Sequence, residues 1–220
     1  SPPRVPGVAG PRPLPLAGCM ETTTARMETP RAAGAAGILF ALLTAASIAL
    51  IRYALPSDVA HAPVDPDRRW AVSAALEIVP FAGIFFLWFM GALRAHTGDA
   101  EDRFVATVFL GSGFVFAATL FVAAAAAGTV LQESAAQSGF GRSFAYTVLT
   151  TYGMRMAAVF VFTTSSIGRQ LGVFPRPLVR LGFAVGLVLL LVGSSLPWSE
   201  MLFPAWALAV SGYVLRVSRH

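Results

Sequence analysis

The chain contains no lysine; all 16 of its basic residues are arginine. Phosphate chemistry of the kind that needs a glycine-rich loop ending in lysine is therefore excluded. Cysteine is almost as scarce, with Cys19 alone, so no intrachain disulfide and no cysteine metal site can form. Leu16-Ala17-Gly18-Cys19 has the small residues of a lipidation site, but the proline-rich stretch before it is not the apolar core of a signal segment. Only three histidines are present, His61, His96 and His220, and all fall between apolar blocks or at the tail. Their placement excludes a haem held by paired intramembrane histidines and argues against an intramembrane zinc protease. It also leaves Ser112, between Gly111 and Gly113, without the base that a serine hydrolase requires. No cofactor and no metal ion is expected.

Charge is scarce as well. Charged residues make up 12% of the chain and hydrophobic ones 56%, against roughly 25% charged in an ordinary soluble domain. The apolar residues are gathered into long blocks, several at or beyond the roughly 18 residues that mark a bilayer span. The expected fold is all-α, a polytopic transmembrane bundle of about six spans, over residues 33–54, 70–93, 104–130, 144–167, 178–196 and 201–216. Together they form one domain, residues 32–217. Residues 1–31, rich in proline and arginine, are expected to be a disordered leader. Met20 and Met27 are each followed by Glu-Thr, so either is read as a candidate native start.

Despite the net charge of +5, the arginines sit singly or in pairs at the ends of apolar blocks, which argues against nucleic acid as a partner. They read instead as topology signals. With six spans, eleven arginines fall on the side of the leader, the second and fourth loops and the tail, against four (Arg52, Arg68, Arg69, Arg142) on the other. Cytoplasmic loops retain positive charge, so the expected location is the cell membrane, multi-pass, with both termini cytoplasmic. Trp70, Trp88 and Trp198, with Tyr53 beside Arg52, fall near the expected interfaces. No repeat relates the first three spans to the last three by eye.

Several motifs carry both a chemical and a plainer reading. Gly182, Gly186 and Gly193 share a face of the fifth span and let another helix approach, and packing within the bundle is preferred to a dimer contact. Asp99, Glu101 and Asp102 beside His96, and Asp58, His61, Asp65 and Asp67 in the first loop, match no calcium-loop spacing and read as solvated turns.

Within the spans, Thr147, Thr151 and Arg155 recur every four residues, with Tyr152 alongside, and form a candidate polar face. Glu77 in the second span precedes Pro80, which frees a backbone carbonyl one turn back. Counted from the ends of their spans, Glu77 lies about 9 Å and Arg155 about 16 Å into the hydrocarbon. An unpaired charge there costs at least roughly 2.5–3.5 kcal/mol, so the two are expected to form an intramembrane ion pair.

The stretches Glu77, Pro80-Phe81-Ala82-Gly83-Ile84, Phe86-Leu87-Trp88-Phe89, Glu101-Asp102-Arg103-Phe104 and Thr107 to Gly113 resemble uncharacterised multi-pass membrane proteins of high-GC bacteria. From Glu77 through Gly113 the likeness spans about a sixth of the chain. It implies a membrane fold and supplies no catalytic residue, cofactor or substrate.

The leading functional expectation is a non-enzymatic membrane protein, a scaffold or partner subunit, contacting the lipid bilayer and either another membrane protein or a second copy of itself. The alternative is a small transporter or channel that uses the Glu77/Arg155 pair. A lipid enzyme ranks third, because the histidine, cysteine or paired carboxylates it needs are missing from the membrane ends. The arginine distribution makes a direct prediction. Reporter fusions after Arg94, after Arg176 and at the C-terminus should read cytoplasmic, and one near Asp65 external. An external C-terminus would overturn the six-span count.

Overall fold

Proline and glycine punctuate the apolar blocks, and the helices begin and end at them. The computed structural model describes residues 29–54, 65–97, 103–131, 138–192 and 198–217. Among these the structure is almost wholly helical, with no strand. In chain order the helices are α1 (Thr29–Ala54), α2 (Arg69–Thr97), α3 (Arg103–Thr129), α4 (Ser138–Thr147), α5 (Met154–Gln170), α6 (Arg176–Leu191) and α7 (Leu202–Val217). A π-helical segment, Val148–Gly153, joins α4 to α5 into one continuous rod, so the described residues form six rods.

Two boundaries differ from expectation. α1 starts at Thr29, so the last three residues assigned to the leader are helical; Pro30 sits in the first turn, where a missing N–H costs nothing. Residues 1–28 lie outside the described residues. The fourth rod starts at Ser138, six positions before the expected 144, because Gly139, Gly141 and Arg142 resemble a loop in composition but are helical. At the other end of that rod Gly172 takes a left-handed φ of 67°. The backbone N–H of Phe174 then reaches the Gly168 carbonyl at 3.1 Å, a turn that glycine closes without steric cost.

Four rods are long and apolar enough to cross a membrane: Gly34–Ala54, Pro66–Arg94, Arg103–Thr129 and Gly139–Gln170. In each, 39% of the most apolar stretch is buried within the bundle, and the remainder is partly or fully exposed. Leu42, Phe81, Trp88, Phe114 and Leu187 are among the large apolar side chains left exposed. An apolar surface of this extent suits a lipid environment. α6 and α7 are 16 residues each, short of the roughly 20 that span a bilayer without help.

Neighbouring rods in sequence are neighbours in space, and α7 returns beside α1, closing a ring. Inside it, Phe40 of α1, Phe86 of α2, Phe116 of α3, Phe160 of α5 and Phe203 of α7 are sealed from solvent. Their ring centroids lie 4.8–6.4 Å apart in mostly tilted or edge-to-face pairs, the geometry aromatic quadrupoles favour. A second, smaller cluster, Ala54, Ala71, Val72 and Val130, packs at the end of the bundle where α1 finishes and α2 begins.

α1 fits between α2 and α7 only because it is small-sided. A Cβ on Gly37 would lie 2.0 Å from Ser211 Oγ and 2.6 Å from the Phe89 ring. Gly37→Ala should therefore destabilise the protein by about 1–3 kcal/mol through overpacking. Gly91→Ala, where a Cβ meets nothing within 4 Å, should be neutral or stabilising through helix propensity. Thermal unfolding of the two variants in detergent checks the contrast, and equal shifts would refute the close approach at Gly37.

Candidate functional site

The residues singled out in the spans do not converge. Glu77 on α2 and Arg155 on α5 are both exposed on the outside of the bundle, and α3 packs between their helices. Arg155 donates through Nη1 to the Thr151 carbonyl of its own rod, while Glu77 has no ion pair or hydrogen bond among the described residues. The expected Glu77–Arg155 pair is absent among the described residues, and the reason lies in helix order: counting depth aligns the two levels but cannot tell which helix separates them.

The polar face of the fourth rod also turns outward. Thr147 and Tyr152 are exposed and Thr151 is half-buried, whereas Thr150 is buried and donates to the Tyr146 carbonyl at 2.8 Å. The π segment falls inside this series. Its wider turn alters the helical register within the series, and Thr147, Thr151 and Arg155 nonetheless stay together on the outer side of the rod.

Gly182 and Gly186 face the neighbouring rods. A Cβ on Gly182 would meet Ser165 Oγ at 1.9 Å and Trp206 Nε1 at 3.1 Å, and one on Gly186 the Phe162 ring at 3.0 Å. Gly193 lies outside the described residues. So do Asp58, His61, Asp99, Glu101 and Asp102, and the side chain of His96. Asp65 and Asp67, the described members of the first acidic group, belong to a short 3-10 turn: Asp65 Oδ1 accepts from the Asp67 N–H at 3.1 Å, and its Oδ2 lies 3.8 Å from Arg68 Nε.

What the fold does assemble is a cavity of about 400 Å³ among α1, α2, α3 and α4. It occupies the level between the phenylalanine cluster and the smaller apolar cluster. On α1 its lining runs from Thr44 to Arg52, on α2 from Ala75 to Ala82, on α3 from Leu120 to Ala127, and on α4 and the π segment from Arg142 to Leu149. Alanine explains the space. Ala75 and Ala82 on α2, Ala123, Ala124 and Ala127 on α3 and Ala145 on α4 all line it, and their methyls cannot fill the separation that the rings impose one layer away.

Polar groups sit at both ends of this apolar chamber. At the deep end, Thr44 is 4% exposed, and its Oγ1 has no hydrogen-bond partner. Ser47, one turn on, donates to the Leu43 carbonyl at 2.9 Å. Nearer the mouth, on the α2 wall, Pro80 deprives the carbonyl of Leu76, another lining residue, of its helical donor.

At the mouth stands the one long-range ion pair among the described residues for which the distances are short. Arg52 Nη2, at the end of α1, lies 2.8 Å and 2.9 Å from the two oxygens of Glu200, in the turn that opens α7. Glu200 is 3% exposed and Arg52 16%. The Arg52 guanidinium also lies 5.5 Å from the Trp198 ring centroid, and Trp198 holds a left-handed φ of 67° as it leads into the turn. Arg142, Ser143 and Tyr146 complete the rim from α4. Near the mouth, the Tyr53 ring lies tilted at 6.4 Å from the Trp70 ring, with the Arg68 guanidinium 5.1 Å from the Tyr53 ring. Aromatic rings beside arginines are characteristic of a membrane interface.

Sequence reasoning missed most of these residues. In the sequence Arg52 reads as a topology signal and interfacial anchor and Arg142 as a topology signal, and nothing there marks Thr44, Ser47 or Glu200. The available signal was Glu200 itself, an acid with no arginine between Arg180 and Arg216, whose partner therefore had to come from elsewhere in the fold. No protein-family model matches the chain, and no curated protein or solved structure shows significant similarity to it.

The pair makes its own prediction. Removing one member leaves a buried charge uncompensated, so Glu200→Gln and Arg52→Gln should each destabilise the protein by on the order of 3 kcal/mol. The double variant should recover part of that loss. In a parallel cycle Glu77→Gln and Arg155→Gln should be additive, because no contact couples them. Coupling at the second pair and not at the first would contradict the arrangement described.

Proposed function

We propose that the protein is a multi-pass integral membrane protein of about six spans, with both termini cytoplasmic, which holds a small ligand in the cavity between α1 and α4 without transforming it. The carrying observation is the Thr44 hydroxyl, buried and unpartnered on the wall of a chamber of about 400 Å³. A ligand site is typically concave and mostly apolar, with a few placed polar groups that fix orientation. This chamber matches that description: hydroxyls and arginines stand among aliphatic side chains. Its single acid is already engaged by Arg52, which supports binding rather than acid–base chemistry. The six-span count is supported by the packing of α7 beside α1, which makes α6 and α7 part of the same bundle as the four long rods. The arginine distribution supports the orientation, which places the cavity mouth on the external side.

A second reading, a partner subunit in a larger membrane assembly, is favoured by one observation. Glu77 and Arg155 are exposed on the outer surface of long apolar helices, where a charge left to lipid is costly. A partner bearing opposite charges would relieve that cost. The transporter alternative based on a Glu77/Arg155 pair loses its support, since neither residue lines the cavity.

The ligand-holding reading is tested by filling the chamber. Ala124 is half-buried and lines it, so Ala124→Phe should occupy the space with little disturbance of the ring layer. Organic extraction and mass spectrometry of the purified wild type should give a small molecule at near-stoichiometric amount that is depleted at least tenfold from Ala124→Phe. Identical extracts from two equally folded proteins would refute the reading.

A further inference from the structure

Acids are confined to one end of the bundle. Those among the described residues are Asp65, Asp67, Glu77 and Glu200, which stand just before α2, in its first third, and at the opening of α7. α6 begins at the opposite end, directly after the turn that follows α5. There Arg169, in the last turn of α5, and Arg176 and Arg180, in the first turns of α6, are all exposed. None of the three forms an ion pair among the described residues.

α6 packs on α5 and α7, and one of its faces is left outward. Arg176, Arg180, Phe183, Leu187 and Leu190 follow one another at steps of four and three residues, the spacing of a single helical stripe. All are exposed except Phe183, which is half-buried. Arg169 reaches the stripe from α5: its guanidinium lies 5.7 Å from the Phe183 ring centroid, and that ring lies 5.9 Å from the Phe162 ring of α5. Stacking on a ring engages the flat face of a guanidinium and leaves the N–H donors at its edge. Three guanidiniums therefore stand at the head of the stripe, and exposed leucines continue it for about 10 Å beyond Phe183.

This order of charge and apolar surface selects an occupant. Phosphate oxygens match the forked donors of arginine. A free phosphate would gain the guanidiniums but nothing from Phe183, Leu187 and Leu190. A zwitterionic head would bring its own ammonium against three arginines. An acidic phospholipid matches both parts, and basic clusters beside membrane helices attract such lipids.

We propose that the outer face of α6 binds one anionic glycerophospholipid, its phosphate held by Arg169, Arg176 and Arg180 and one acyl chain laid along Phe183, Leu187 and Leu190. The contact is ionic and dispersive, with no covalent change. The site is separate from the cavity, none of whose lining residues lies on α6.

Native mass spectrometry of the full-length protein in detergent, titrated with phosphatidylglycerol or phosphatidylcholine of identical acyl chains, reads lipid occupancy and oligomeric state together. One phosphatidylglycerol should bind about tenfold more tightly than phosphatidylcholine, the scale of a charge-assisted hydrogen bond. The double variant Arg176→Gln/Arg180→Gln should lose that preference while binding phosphatidylcholine as before, and Arg176→Lys/Arg180→Lys should keep part of it. Arg103→Gln, which removes the same charge from the same end of the bundle but on α3, should bind like the wild type. So should Ala124→Phe, which separates this lipid from any ligand of the cavity. Glycerol phosphate should not compete. Equal affinity for the two lipids, or an equal fall in Arg103→Gln, would overturn the site. Full competition by glycerol phosphate would overturn the acyl-chain contact and with it the lipid. A lipid-free dimer that disappears in Arg176→Gln/Arg180→Gln would overturn the proposal in favour of a second copy on this face.

Discussion

The architecture depends on one layer of phenylalanine rings. Phe40, Phe86, Phe116, Phe160 and Phe203 come from five different helices and meet at 4.8–6.4 Å. In hydrocarbon the solvent is as apolar as the side chains, so helices associate through packing and polar contacts rather than by exclusion from water. The rings supply that packing and thereby set the distance between helix axes. One layer toward the end of α1, the facing residues are alanines on α2 and α3, and the same spacing leaves a chamber. Where the approach must be closer, as at α1 against α7 or α5 against α6, glycine takes the facing position.

The chamber is closed at its mouth by chemistry of a different kind. Arg52 ends α1 and Glu200 opens α7, so their contact ties the first and last helices of the ring across 148 positions of sequence. Buried at 3% exposure, Glu200 depends on that partner. The adjoining aromatic residues, Trp198 under the guanidinium and Tyr53 beside Trp70, gather at the same end of the bundle. A cavity with apolar walls, charged residues at its rim and an unpartnered hydroxyl at its floor thus follows from three features: ring volume in one layer, alanine in the next, and an ion pair at the edge.

Much of the fold was legible in the sequence, because apolar length and punctuation by proline and glycine are local properties. The helices expected at 33–54, 70–93 and 104–130 correspond to α1, α2 and α3 with shifts of a few residues. The fourth was displaced because a glycine-rich, arginine-bearing turn at Ser138–Arg142 reads like a loop and folds as helix. The site was not legible. Thr147, Thr151 and Arg155 do share one side of their rod, but four-residue spacing is a local property and carries no information on whether that side faces into the bundle or, as here, outward.

Sequence alone therefore determined the helical class, the length and apolarity of four rods, and the uneven distribution of arginine between the loops, since each of these depends on residues near one another along the chain. Only the tertiary structure decided which charges meet. Glu77 and Arg155, which a count along their helices puts within side-chain reach of one level, are separated by the intervening α3, while Arg52 and Glu200, with nothing in their local sequence to relate them, are brought to 2.8 Å by the closing of the ring. The physical reason is that depth along a helix is set by counting, whereas the direction a side chain faces and the neighbour it finds are set by how whole helices pack.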